Sequence, residues 1–471
     1  MKASHLLSVT AAVLMATFAA PVVAQDEIEF KRVSITGQFD NGQVVKGYTH
    51  PNILESAKDQ PLDMKFFSRT GVWVTQEAVV KERLNLIVGV GGIFWYSMPS
   101  QRSSPLTLQT QFGPGISQAQ GIYTWGDLED PTARLQVGYF PYKYNQDSKN
   151  LGEYLLRSGT YPGYLVTGGW NMVSSSAFMN QGARLNVPLW DGKFQSDFIL
   201  SMETNLPPLF SLTPAYVATV NPVKGVTVGA GIACNHCLST RPSEESPKLE
   251  SNQIIRSATV VHDAPNGQYL ITYDRDSTSH YTFQGVKVAA NASIDPKAYI
   301  PMDFLGPEDL KLYGEIAVLG WKNYSYLYEK RSERMPIMVG FNIPTFKMLD
   351  VLSFELEYYN NSFVNNYRNV IYDAIPTWYR AEELTPTGMP GEYSLTEAEY
   401  EFNQSWAKRD NWKWSVYGKK EVVKGVRIFA QAASDHLRPY TFDLGAFPAY
   451  VPVTNKNGKE WYYIVRLEFG I

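Results

Sequence analysis

Apolar side chains recur at every second position along most of this chain. In the closing segment WYYIVRLEFGI (461 to 471), Trp461, Tyr463, Val465, Leu467, Phe469 and Ile471 share one parity, and Tyr462, Ile464, Arg466, Glu468 and Gly470 share the other. A strand sends these two sets to opposite faces. The same alternation runs through KFFSRTGVWVT (65 to 75), LNLIVGVGGIFWY (84 to 96), ARLQVGYFPY (133 to 142), MNQGARLNVPL (179 to 189), KFQSDFILSM (193 to 202), TPAYVATV (213 to 220) and GVTVGAGIA (225 to 233). It continues in FQGVKVAANASI (283 to 294), LKLYGEIAVLGW (310 to 321), MPIMVGFNI (335 to 343), VLSFELEYY (351 to 359), NWKWSVYGK (411 to 419) and GVRIFAQAA (425 to 433). No helical stripe of comparable length competes with it.

The connections between these segments alternate in length. Short turns at VKER (80 to 83), EDPT (129 to 132), WDGK (190 to 193), NPVKG (221 to 225), FKMLD (346 to 350) and VVKG (422 to 425), with a longer one at FLGPEDL (304 to 310), make about seven. Long polar and aromatic loops separate them. Short turns at one end and long loops at the other are the signature of a transmembrane β-barrel, and seven short turns with both termini on that side imply about sixteen strands. The expected fold is therefore all-β, a closed antiparallel barrel of about sixteen strands occupying residues 25–471. The first strand is ambiguous, because VSITGQFDNGQVV (33 to 45) reads either as one strand running into a loop or as a tight hairpin at Asp40-Asn41-Gly42.

The N-terminus and the composition fit that fold. Met1, Lys2 and His5 lead into LLSVTAAVLMATFAAPVVA, with Val22 and Ala24 placed for cleavage, so residues 1–24 are expected to be a secretory signal peptide. No later apolar run reaches the roughly 18 residues that a membrane helix needs. A hydrophobic content of 44% with negative mean hydropathy suits strands that are apolar on one face only. The formal charge of −4, about −5 once Lys2 is removed, argues against a nucleic-acid partner.

With apolar residues outward, the inward set includes Lys65, Arg69, Glu77, Arg134, Arg184, Asp197, Lys287, Lys311, Glu315, Glu355, Glu357, Lys413, Lys419, Arg427, Arg466 and Glu468. Basic residues outnumber acidic ones, which reads either as a hydrated, ion-paired wall or as a field mildly favouring anions. The third long loop, NQDSKNLGEYLLRSGTYPGYLVTGGWN (145 to 171), holds Asn150 and Glu153 at capping-box spacing, with Gly159 and Pro162 as stops. That pattern predicts a short helix over about 151–158, with Glu153 and Arg157 four residues apart.

With this loop, the strand count and the C-terminal strand, the chain resembles the general trimeric porins of Gram-negative outer membranes. The last strand also resembles the signal read by the barrel assembly machinery, although it ends Phe469-Gly470-Ile471 rather than on an aromatic. The resemblance implies a third loop folded into the lumen, with Glu153 and Arg157 at a constriction facing Lys65, Arg69, Arg134 and Arg184. Lys287, Lys311, Arg427, Arg466 and Glu468 would line the wall. It further implies a homotrimer in outer-membrane lipid that passes small hydrophilic solutes by diffusion.

Other motifs give less. Cys234-x-x-Cys237 with His236 in IACNHCLS (232 to 239) lacks local ligands for a four-coordinate metal, and in an exported protein a disulfide is expected. In the fifth loop (236–281), SATVVHDAPNGQYLITYDR (257 to 275) predicts a hairpin about Asn266-Gly267. The seventh (362–410) carries Tyr372, Trp378, Tyr379, Tyr393, Tyr400 and Trp406, which either pack the loop or bind polysaccharide or a protein. An adhesin-like barrel with a plugged lumen is accordingly the alternative function. Ser434-Asp435-His436 is contiguous and cannot form a triad on a strand, so neither catalysis nor a cofactor is expected.

Overall fold

In the computed structural model, residues 28–46, 48–49, 60–61, 66–97, 109–156, 178–202, 210–238, 253–280, 284–300, 302–323, 329–360, 371–372, 375–376, 392–396, 411–434 and 461–471 are described. The expected signal peptide, residues 1–24, lies outside them.

Sixteen antiparallel strands close into one barrel. They are β1 (Ile28–Lys46), β2 (Phe66–Val80), β3 (Leu84–Ser97), β4 (Gln109–Gly126), β5 (Pro131–Tyr142), β6 (Phe178–Leu189), β7 (Phe194–Met202) and β8 (Leu212–Val223). The second half comprises β9 (Val226–Asn235), β10 (Gly285–Ile294), β11 (Leu312–Val318), β12 (Ile337–Asn342), β13 (Val351–Tyr358), β14 (Trp412–Val423), β15 (Val426–Ala433) and β16 (Trp461–Gly470). Each strand pairs with its neighbours in sequence, and β16 returns to β1 in a register running from Thr36–Gly470 to Lys46–Trp461. Every short connection read from the sequence joins two adjacent strands at one end of the barrel.

Two of the expectations about strands need amendment. The Asp40-Asn41-Gly42 stretch is no hairpin: β1 runs straight through it, pairing Asp40 with Arg466 on one side and Arg69 on the other. The sequence alternation also passes over β4. Its register against β3 shifts between Gly89 and Val90, so that Ser117 is the extra residue of a bulge. Ile116, 58% exposed, faces out, and Gln120, 8% exposed, faces in, although both are even-numbered. A parity that inverts inside one strand defeats a period-two reading.

The two faces have opposite chemistry. On β16, Val465, Leu467 and Phe469 are 40–44% exposed, whereas Arg466 and Glu468 are 1% and 7% exposed. The same holds around the circumference, with Val72, Val74, Phe198, Ile232, Val339, Phe354 and Ile428 all exposed on the outside. Such a continuous apolar exterior on a closed sheet is matched to hydrocarbon, where every backbone polar group must find its partner within the protein. Across the closing seam, Arg466 grips Asp40 from inside through two bonds, Nε–Oδ1 2.5 Å and Nη2–Oδ2 2.9 Å.

Outside the barrel, the hairpin expected in the fifth loop is present as strands Gln253–Asp263 and Gln268–His280, turning at residues 264–267. Glu392–Thr396, from the seventh loop, adds a third strand along Gln268–Thr272.

The division into faces makes a sharp prediction at adjacent residues of β2. Val74→Arg should cost about 2–4 kcal/mol if it lies at mid-bilayer depth, while Thr75→Arg, on the lumen side, should be mild. Denaturant unfolding in phospholipid vesicles measures both, and equal costs would overturn the assignment of faces.

Candidate functional site

After β5 the chain leaves the wall and turns into the barrel. Residues Tyr144, Asn145, Ser148 and Asn150 to Leu156 are buried. What holds them is a set of carboxylates on the facing wall. Glu355 of β13 accepts the backbone N–H groups of Lys149, Asn150 and Leu151, at 2.5, 2.9 and 2.8 Å. Glu315 of β11 accepts those of Glu153 and Tyr154, at 3.0 and 2.9 Å, and also the Tyr144 hydroxyl and the Asn145 side-chain amide. The Tyr154 hydroxyl donates to Glu357 at 2.5 Å, and Lys413 stands 4.0 Å from the same carboxylate. Hydrogen bonds to a charged group contribute about 1.5–3 kcal/mol each, and five backbone N–H groups of this segment end on Glu315 and Glu355.

The expected helix over 151–158 is absent from the described part of the loop. Gly152 and Glu153 both take positive φ, +84° and +61°, which a right-handed helix cannot accommodate. A Cβ at Gly152 would come within 2.7 Å of the Met338 methyl and 3.0 Å of a Glu315 oxygen, so only glycine permits this close approach. Glu153 does not cap Asn150. Its Oε1 accepts from the Asn145 N–H at 2.6 Å, within the same loop.

Beneath the hydrogen bonds lies an apolar cluster. Phe140, Tyr142, Leu151, Tyr154, Leu155 and Leu156 pack with Ile199, Val217, Ala233, Tyr313 and Met338 from inward positions on β7, β8, β9, β11 and β12. Leu155 sits against Gly231, where an added Cβ would meet its Cδ2 at 2.6 Å. Further on, Lys311 bridges Glu308 and Asp147 at 2.7 and 3.4 Å, tying the loop to the turn between β10 and β11. Burial, then the charge of Lys149, brings Lys143 down to about 8, and its ammonium donates to the Ser148 carbonyl.

The sequence-derived site residues separate in space. Glu153 is in the loop-to-wall contact. Arg184 is elsewhere, forked onto Asp197 with Nε–Oδ1 2.9 Å and Nη2–Oδ2 3.1 Å, and stacked on Tyr142. Arg134 lies on β5 beside Thr124 and Asn186. The backbone of Arg69 lies between Asp40 and Trp95, while Lys65 and Arg157 fall outside the described residues. Lys287 is fully buried beside Ala233, and Arg427 pairs with Glu468. Sequence reasoning placed Glu315, Glu355 and Glu357 on the inner face but missed their role. A usable signal was there: three like charges of inward parity on β11 and β13 demand nearby donors.

At the outer end of β9, Cys234 and Cys237 have Cα atoms 5.5 Å apart, the spacing of a disulfide. Between them, His236 Nδ1 lies 2.5 Å from Ser211 Oγ, with both residues buried. A serine–histidine contact closed off in this way is a staple of the loop root.

No protein-family model matches this chain, and no curated protein does. Among solved structures, it is similar to a triple mutant of Rhodopseudomonas blastica porin, with 7% identity and a TM-score of 0.39, over 94% of this chain and all of the other. Two further mutants of the Rh. blastica porin match over the same shares at 7% identity, with TM-scores of 0.39 and 0.38. The barrel itself is established by its own strand ladders.

His236 supplies a pH test. Burial, then the charge of Lys287, holds its imidazole at about 4 instead of 6.5. Between those values the unfolded chain binds a proton that the folded one does not, so stability rises with pH. The contribution is complete above about 6.5 and is lost as pH falls toward about 4. Thermal unfolding in detergent should therefore shift downward across that window, by up to about 3 kcal/mol. His236→Gln should flatten this dependence.

Proposed function

We propose that this chain is an outer-membrane pore through which small hydrophilic solutes diffuse passively. The observation that carries the reading is the inward loop. A closed barrel with an apolar exterior has its polar interior narrowed by residues 144–156, which are hydrogen-bonded to Glu315, Glu355 and Glu357. A segment held this way sets the width of whatever passage remains. On this reading residues 1–24 direct export, the barrel assembly machinery inserts the chain, and the mature protein, 25–471, works in the outer membrane as a homotrimer. Segment 145–171 is the constriction loop, and 236–281 and 362–410 are the long outer loops. The role is passage rather than catalysis.

The field inside is weak on this reading. Arg184 with Asp197, Arg466 with Asp40, Arg427 with Glu468 and Lys413 with Glu357 cancel locally. A mild anion preference would then rest on Arg134 and Lys419, for which the described residues supply no acidic partner, and would be opposed by Glu315 and Glu355, whose carboxylates are held by N–H groups. Glu153, buried at the loop-to-wall contact, acts on the fold of the loop more than on passing ions. We assign Cys234 and Cys237 as an oxidised pair that fastens the fifth-loop root.

One observation favours the adhesin-like alternative: strands from the fifth and seventh loops join in a sheet outside the barrel, an ordered surface able to bind a partner. Planar-bilayer recording separates the two readings. The refolded mature chain should give stepwise currents, and deleting residues 148–162 should enlarge each step while the barrel circular dichroism is kept. Glu355→Ala, which removes three acceptor bonds from the loop, should move conductance in the same direction. Silence from a correctly folded barrel would favour surface binding. For the cysteines, mass spectrometry without reductant should find both thiols blocked to alkylation, and free thiols would refute the pairing.

A further inference from the structure

The wall of β4 to β7 carries a run of side-chain amides joined end to end. Gln120 Nε2 donates to Gln118 Oε1 at 2.9 Å, Gln136 Nε2 donates to Gln120 Oε1 at 2.5 Å, and Arg184 Nη1 reaches Gln136 Oε1 at 3.4 Å. The run continues through Asp197 to Asn186, whose Nδ2 lies 2.8 Å from Asp197 Oδ1 and 3.1 Å from Gln195 Oε1. It thus crosses four adjacent strands, and Gln118, Gln136, Arg184 and Gln195 are each part-exposed.

Its chemistry is specific. A carboxamide has two N–H donors and an oxygen with two lone pairs. Gln120 and Gln136 each spend one donor and one lone pair on the run, leaving the other donor and lone pair of each uncommitted. The cation within the run, Arg184, is neutralised by Asp197, which is itself fixed by the Tyr142 hydroxyl at 2.9 Å. The run is evenly supplied with donors and acceptors and has no net charge of its own, with Arg134 standing at its edge across from Asn186. An ion gains nothing there to replace its hydration, whereas hydroxyl groups, which donate and accept at once, match it.

We propose that this amide run is a binding track for neutral polyhydroxylated solutes, of the sugar or polyol class. The proposal rests on the pore reading and names its solute. The bulge at Ser117 is what turns Gln118 and Gln120 inward and so begins the track.

Single-channel recording of the full mature chain tests it, with raffinose as the neutral probe and a dicarboxylate of the same size class as the charged one. Raffinose should interrupt the current of the unaltered channel, and the double variant Gln120→Leu, Gln136→Leu should bind it about tenfold more weakly. Gln136→Glu, which sets a second acid beside Arg184 without losing a polar group, should also weaken raffinose binding, and it serves if the double variant does not fold. Conductance without raffinose interruptions, equal interruption in all three proteins, or stronger block by the dicarboxylate would overturn the track and leave the pore reading standing. A silent channel would overturn both.

Discussion

The ladder between β1 and β16 removes the two edges that an open sheet of sixteen strands would carry. Ile35 and Ile471 exchange both backbone hydrogen bonds at its end, at 3.0 and 2.9 Å. In hydrocarbon an unpaired N–H or C=O costs several kcal/mol, so closure is a condition of the fold and not a refinement of it. Once closed, the sheet has an outside and an inside, and each strand must satisfy both at a period of two. Asp40 and Arg466, at adjacent positions on the two seam strands, mark the inner side of that closure with a buried ion pair, a strong constraint on register because a one-residue slip would send one partner outward.

The interior is not uniform. From β7 to β13 it is packed like a small protein core, with leucine and tyrosine side chains of the loop set against alanine, valine and methionine of the wall. From β4 to β7 it is amide-rich and part-exposed. The acidic group on β11 and β13 lies where the first region meets the returning loop. Its carboxylates are satisfied by peptide N–H groups more than by cations.

The barrel was legible because closure imposes its signature everywhere: outward apolar parity and alternating connection lengths appear in nearly every strand. β4 escaped because Gly113, Pro114 and Gly115 thin its pattern and the bulge at Ser117 inverts its parity. The site was less legible. Asn150 and Glu153 sit at capping-box spacing, but local propensity lost to Glu315 and Glu355, which are brought to the loop only by tertiary structure. An outward or inward position can be read from a strand, whereas the partner across a lumen cannot.

The bonds between loop and wall link residues more than 160 positions apart in sequence. Loop-closure entropy makes such contacts late to form, and here they require β5, β11 and β13 to be in the same closed cylinder first. Until then Glu315 and Glu355 have no peptide donors, and the leucines of the loop have no surface to cover. The docked loop is therefore a record of completed assembly: a barrel that inserted with an open seam or a slipped strand would present its acidic wall to water, and its third loop would hang unanchored.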